Sequence, residues 1–456
     1  MICDFSYPFR RESDPSPGGI QMPKITFIGA GSLGFFKTLM IDCLSFEALR
    51  NSDWALVDID PKRLDYARRI GERIMRDAGS TGKLVATLDR REVLKGSDFV
   101  IMAILVGGYE PIAFDIDIPM KYGVDQCIGD SHGPGGVFRA LRTIPVKVGI
   151  ARDIADLCPN AWVLNYTNPM SMLCRAMDIE TGINLVGLCH SVQGTTGMLA
   201  DWAGVPRDEI DHWVAGINHQ AWVLRIRHNG EDLYPKIKKA AREPEHWNSL
   251  TASCEMLEHL GYFVTEGSGH NSEYNAWFRK TPESVAKYCP GGSWNGGSGF
   301  IKQLYGSDRE GWEADQERFA SDTSPIVFRR SHEYGSNIIN GIQTHIPFRF
   351  NGNVANKGLI TNFPQDVMVE VPCFADKNGV KPCHVGALPP QLAALNSMNI
   401  NVIELAVQAA LKGDRDAAFH ACCYDPLTMA VLDLRQIRSM VDEMFEAEKP
   451  WLPQFA

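Results

Sequence analysis

The sequence predicts an α/β fold: a parallel sheet covered by helices on both faces, followed by a mixed α+β lobe. Three observations carry this. Short apolar runs alternate with helical stretches from Lys24 to about Asp211, the spacing of βαβ units. The first run ends in a glycine cluster. Beyond Asp211 the alternation gives way to partial strand patterns and a stretch rich in Gly, Ser, Asn and aromatics.

Taken in order, Lys24–Ala30 (KITFIGA) reads as a buried strand running into glycine, and a helical pattern follows from Leu33 to Arg50. Trp54–Ile59 is a second strand, after which Pro61 stands where a helix start tolerates proline and the helix runs to about Asp77. Ser97–Leu105, Ala161–Asn165 and Asn184–Cys189 are three further apolar runs with helical segments between them. In the second lobe Trp213–Ile226 alternates in part and Pro235–Leu260 looks helical. Val367–Val371 suggests a strand, and Pro389–Leu411 and Leu434–Ala447 suggest helices. Residues 265–300 read as a site-building loop rather than a packed element.

Composition bounds the function. The chain has 456 residues, 45% of them apolar and 22% charged, which excludes a disordered or fibrous protein. A net charge of −10 argues against nucleic acid as a partner, because phosphate backbones need concentrated positive charge. No apolar run is long enough to span a bilayer, so no membrane partner is expected. Residues 1–21 hold Arg10 and Arg11 but no apolar signal-peptide core; a disordered extension is expected there. Twelve scattered cysteines without a C-x-x-C pair fit reduced thiols and a cytoplasmic location.

Gly29-Ala30-Gly31-Ser32-Leu33-Gly34 is G-x-G-x-x-G between a predicted strand and a predicted helix. Gly29 would allow the tight turn, Gly31 the close approach of backbone to a pyrophosphate, and Gly34 close helix–strand packing. The helix start at Ser32 offers free N–H groups to the phosphates. Asp58, 24 residues after Gly34, is placed to accept a ribose hydroxyl and favours NAD over NADP; Asp60 is the alternative. The expected organisation is therefore a Rossmann-like NAD-binding domain over 22–210 and a mixed α+β substrate domain over 211–456, to which the resemblance given below adds dimerisation.

Two motifs do not belong to a plain dehydrogenase. Leu188-Cys189-His190-Ser191-Val192 ends a predicted strand, where a parallel sheet faces its ligand crevice, and Gly216-Ile217-Asn218-His219 follows at a second boundary. A thiolate and an imidazole together suit a borderline divalent ion such as Mn²⁺, Fe²⁺, Co²⁺ or Ni²⁺. The alternative for the pair is a buried thiol and a hydrogen-bonded imidazole. Asn165-Tyr166-Thr167-Asn168-Pro169 ends another strand, and Asn168 offers an amide toward nicotinamide and substrate. Asp130-Ser131-His132-Gly133-Pro134-Gly135-Gly136 reads either as a lid or substrate loop or as a bare turn, beside the basic pair Arg139 and Arg142.

These words together resemble the NAD- and metal-dependent glycosidases of glycoside hydrolase family 4, nearest its α-galactosidase branch. PKITFIGAGS, LVDIDPKRL, GGYEP, GPGG-x-x-RALRTIP, LNYTNPM, GLCHSVQGT, AGINH, GYFVTE and VGALP carry the likeness, which spans Met22 to the C-terminus. The resemblance implies a lactate/malate dehydrogenase-like fold, a homodimer or homotetramer, and a small-molecule glycoside substrate such as a melibiose-like α-galactoside. It implies redox chemistry inside a hydrolase: hydride from sugar C3 to NAD⁺, elimination across C1–C2, water addition and re-reduction. Cys189 and His219 match the family's ligands for the divalent ion, manganese being expected, and Asn168 matches its sugar-binding asparagine. His190 stands where several relatives carry an aspartate as proton donor. The C2 base falls among Glu266, His270 and Tyr274, with Tyr274 favoured; Asp130 is a further acid or hydroxyl-binding carboxylate. The competing readings are an α-galacturonidase or α-glucuronidase of the same family, a plain dehydrogenase of lactate/malate type, and a dead nucleotide sensor.

Overall fold

The computed structural model describes residues 22–307 and 311–455; the extension at 1–21 lies outside the described residues. Six strands form the parallel part of the sheet: β1 (Lys24–Ile28), β2 (Asp53–Val57), β3 (Leu84–Thr87), β4 (Phe99–Met102), β5 (Trp162–Asn165) and β6 (Leu185–Gly187). Their spatial order is β3-β2-β1-β4-β5-β6, the doubly wound order of dinucleotide-binding domains. Successive side chains of a strand point to opposite faces, so each strand feeds two cores. Phe99 and Ile101 enter the large core with Phe27 and Phe36, while Val100 and Met102 enter a second core with Ile28 and Val57.

The sheet does not stop there. It continues through β10 (Phe348–Ala355), β11 (Met368–Asp376), β7 (Ile210–Ile217), β8 (Gln220–His228) and β9 (Glu231–Asp232), all antiparallel, with β12 (Gly379–Pro382) beside β11. The two joints are narrow: Asn353 opposite Gly187, and Glu370 opposite Gly216. The boundary expected at residue 211 falls inside β7. Among the described residues no helix is long and apolar enough to cross a membrane, and all eleven described cysteines are unpaired.

Several elements differ from expectation for identifiable reasons. The helix expected over Leu33–Arg50 ends at Leu44, and a short 3-10 turn covers Glu47–Leu49. The second strand stops at Val57, leaving Ile59 in the open at 92% exposure. β3, β10 and β12 had no clear strand pattern; Val85 in β3 is exposed, so its burial does not alternate cleanly. The Pro235–Leu260 stretch is three helices, Tyr234–Ala241, Pro244–Ser249 and Thr251–Leu260, because Pro244 cannot continue the first. Residues 265–300 are no loose loop: every residue of the short helix Ser268–Glu273 is buried.

Helix Gly133–Leu157 reaches both cores and is locked at Arg142, whose guanidinium meets Asp115 and, at 2.9 Å, Glu448, all three buried. Such a network is costly to break, because removing one partner strands a buried charge. The lock joins that helix to Tyr109–Lys121 and to the residue after Leu434–Ala447, and so anchors the loop at 130–132 from which the helix starts.

Candidate active site

All six parallel strands point one way, so the loops after them gather on one sheet edge. The first is the glycine cradle. Gly29 takes φ +89°, and a Cβ there would stand 2.1 Å from the Ala103 carbonyl oxygen. At Gly31 a Cβ would meet Asp58 Oδ2 at 2.6 Å, and the Gly31 N–H donates to that oxygen at 2.7 Å. Gly34 departs from expectation: a Cβ there meets nothing within 4 Å, so it is not a packing glycine. Ser32 caps the helix Leu33–Leu44 with its backbone only, leaving its side chain uncommitted to the cap. Asp58 lies one residue past β2 and also accepts from the Asp60 N–H at 3.0 Å. Asp60 caps the next helix through Oδ1, which accepts from Lys62 and Arg63 N–H.

Cys189 follows β6, and His219 sits in the two-residue turn between β7 and β8. Their ligand atoms and a carboxylate oxygen of Glu266 lie within 4.8 Å of one another. Glu266 Oε1 stands 3.7 Å from Cys189 Sγ and 3.7 Å from His219 Nε2. His219 and Glu266 both adopt left-handed backbone, φ +64° and +72°. Non-glycine residues held this way store about 1–3 kcal/mol each and cluster at functional sites.

The electrostatics match a cation slot. Burial opposes ionisation of Cys189, yet the His219 and His190 rings hold its thiol well below the ordinary value. Burial likewise opposes protonation of His219, and the charges of Cys189 and Glu266 push it up to about 10. One sulfur, one nitrogen and one carboxylate form a mixed donor set suited to a borderline divalent ion.

A second group lines the adjoining space. Asp130, His219 and His270 bring ligand atoms within 4.8 Å of each other. Burial raises the Asp130 carboxyl, but the Arg139 guanidinium and the nearby imidazoles bring it down to about 2. Asn168 donates to Asp130 Oδ2 at 3.0 Å, while its own Oδ1 is buried with no hydrogen-bond partner. His270 Nδ1 faces Glu266 Oε2 at 3.8 Å. Tyr274 is fully buried, with its hydroxyl 3.3 Å from His219 Nδ1. Burial and the carboxylates of Asp130, Glu273 and Glu266 hold that phenol well above its ordinary value. His190, beside Cys189, is the more open: its side chain is 54% exposed, with Nε2 2.5 Å from Glu333 Oε1.

Three residues here went unread in the sequence, and a fourth, His132, was read only as part of its loop. Glu333 partners His190 from 143 residues away. His132 lies edge-on to Tyr274 with ring centroids 4.5 Å apart, and burial and the His219 charge push it down to about 3. Glu273 accepts the N–H groups of Cys127, Ile128 and Gly129 and so shapes the approach to Asp130. Glu370, buried in β11, stands 3.5 Å from Asn218 Nδ2. His132 lay inside the glycine-rich loop and was legible as part of it; the others carry no local signal.

Comparison with known proteins gives a consistent picture. The profile of the family 4 glycosyl hydrolases matches residues 24–205, and that of the family 4 glycosyl hydrolase C-terminal domain matches 214–428. The chain is 43% identical to an alpha-galactosidase of Bacillus subtilis (strain 168), over 95% of this chain and all of that one. It is 32% identical to an alpha-galacturonidase of Thermoanaerobacterium saccharolyticum, over 94% of this chain and 96% of that one. Its fold is shared with a 6-phospho-alpha-glucosidase from gut microorganisms, solved with NAD and Mn²⁺: TM-score 0.78 at 22% identity, covering 96% of this chain and 100% of that one.

Proposed function

Because the chain belongs to the family 4 glycosyl hydrolases, we propose that it hydrolyses α-galactosides with NAD and a divalent ion, manganese, as cofactors. The observation that carries this is the convergence of Cys189, His219 and Glu266 on one point at the sheet edge that also holds the Gly29–Gly31 cradle. Both groups fit the residues present: the donor set suits the ion, and the glycine turn leads into a helix start at Ser32 that no side chain caps, which suits a pyrophosphate. When bound, they supply reversible oxidation at sugar C3 and polarisation of the resulting ketone.

The chain's own residues do the rest. Cys189, His219 and Glu266 hold the ion, and Asp58 accepts from the ribose. The unpartnered Asn168 Oδ1 accepts from a sugar hydroxyl, and the ionised Asp130 accepts from another. Tyr274, hydrogen-bonded to His219 Nδ1, takes the C2 proton. Its phenol can ionise near neutrality only beside added positive charge, which an ion held by Cys189, His219 and Glu266 would supply. His190, held by Cys189 and Glu333 and pushed up to about 10, carries the proton for the leaving oxygen. The 43%-identical α-galactosidase supports the galactoside reading over the uronide one.

The test is a panel of p-nitrophenyl α-galactoside, α-galacturonide and α-glucoside, with NAD⁺, Mn²⁺ and thiol each present or omitted. Galactoside cleavage should need all three, with no net build-up of reduced nicotinamide and with a C2 deuterium washed out into solvent. Stoichiometric NADH would establish a dehydrogenase instead, and full retention of the label would exclude elimination.

A further inference from the structure

Lys147 is fully buried in the helix Gly133–Leu157, and among the described residues its ammonium meets one hydrogen-bond partner, Asn165 Oδ1 at 2.7 Å. Burying an ammonium with a single partner is costly, and methionine would fill the same space without that cost. Stability therefore does not account for the residue. Its partner does. Asn165 is the last residue of β5, fully buried, and its side chain grips the backbone two residues on. Nδ2 donates to the Thr167 carbonyl at 3.0 Å and lies 3.1 Å from Met170 Sδ, while Oδ1 accepts the Thr167 N–H at 3.3 Å. Thr167 Oγ1 in turn accepts from the Ile104 N–H at 3.1 Å, in the loop after β4. The next residue is Asn168, whose Nδ2 donates to Asp130 Oδ2.

We propose that Lys147 is a positioning residue that acts through Asn165, fixing the loop after β5 so that Asn168 faces the sugar. This rests on the glycosidase reading and adds to it a residue that touches no substrate. An ammonium can only donate, so it dictates which end of the Asn165 amide carries the oxygen. That choice sets Nδ2 on the Thr167 carbonyl and Oδ1 on the Thr167 N–H; the reverse would face like groups together. The Lys147 bond is the shortest of the set and the charge-assisted one. Without the ammonium the amide is left with two longer bonds to Thr167 and a weakly accepting sulfur, and the peptide that carries Asn168 loosens. The same helix thus governs Asn168 from two places, since Asp130, which accepts from it, lies in the loop from which that helix starts.

The experiment uses the full chain and its K147M and N165D variants, with NAD⁺ and Mn²⁺ present. Thermal melts, NAD⁺ titration and hydrogen exchange at the Thr167 amide are read beside KM and kcat on p-nitrophenyl α-galactoside. K147M should melt no lower than the unmodified chain and keep its NAD⁺ affinity. Exchange at Thr167 and the galactoside KM should each rise about tenfold, with kcat little changed, as loss of uniform sugar binding requires. N165D keeps the oxygen that faces Lys147 but turns an acceptor toward the Thr167 carbonyl, so its KM should rise in the same way. A K147M variant that melts lower, with KM and Thr167 exchange unchanged, would make the lysine merely structural and overturn the assignment. So would an equal loss of NAD⁺ affinity, which would mean that the whole sheet edge had loosened. Should K147M fail to fold, N165D decides: unchanged KM and exchange in it refute the relay. If the unmodified chain cleaves no glycoside, the glycosidase reading falls, and exchange at Thr167 in K147M alone decides whether Lys147 holds the loop.

Discussion

Replacing Gly31 by alanine probes the cradle at its tightest point. The new Cβ would stand 2.6 Å from Asp58 Oδ2 and 2.8 Å from Arg63 Cβ, where ordinary contact begins at 3.4 Å. Arg63 Cβ is fixed by the helix Pro61–Ala78, so the Asp58 carboxylate must retreat by about an ångström. That breaks the 2.7 Å bond from the Gly31 N–H and swings Asp58 off the ribose, forfeiting a hydrogen bond to a charged acceptor worth about 1.5–3 kcal/mol of binding. At about 1.4 kcal/mol per factor of ten, NAD⁺ affinity should fall about 10- to 100-fold. Gly34→Ala is the control: its Cβ meets nothing, it lies in the first helical turn, and alanine there should hold or raise stability by up to about 1 kcal/mol. Calorimetric titration with NAD⁺ and thermal melts of the free protein give both numbers. An NAD⁺ affinity for G31A within twofold of the unmodified chain, or equal loss of stability in the two variants, would refute the steric reasoning.

Two further outcomes are expected. Cys189→Ser should lower Mn²⁺ affinity by at least about 100-fold, more than loss of an outer partner costs, while NAD⁺ titration is unchanged; equal Mn²⁺ binding in a direct titration would remove the thiolate from the ligand set. Lys147 is fully buried with one partner, Asn165 Oδ1 at 2.7 Å, and burial pushes its ammonium down to about 7 from an ordinary 10.5. Between those values the unfolded chain binds the extra proton, so this lysine makes stability rise with pH, by at most about 1.4 kcal/mol per unit. Lys147→Met should flatten that rise in urea melts taken from pH 7 to 10; a slope equal to that of the unmodified chain would mean the lysine stays charged when folded.

The glycine word, Asp58 and the strand-ending words of Asn168, Cys189 and His219 were legible because each rests on local geometry: a turn, a strand end, a hairpin corner. Gly34 was misread because the fingerprint assigns it packing, and in this chain no side chain faces it. The helix Ser268–Glu273 was taken for loop because its Gly, Ser and Asn residues lack helical periodicity; tertiary burial holds it instead. Glu266 was read only as a candidate base; its place 3.7 Å from both Cys189 and His219 was not legible.

Read alone, the chain of residues determined the parallel sheet, its strand-to-helix glycine turn and the strand-end positions of Cys189 and His219, since these depend on neighbours within a few dozen positions. It could not say that Glu266 comes within 3.7 Å of Cys189, 77 residues away, that Glu333 reaches back 143 residues to His190, or that Arg142 is spent on Asp115 and Glu448. Those outcomes arise where distant segments are packed onto one sheet edge. Burial and charge there depend on which groups end up facing one another, a quantity that no short window of sequence contains.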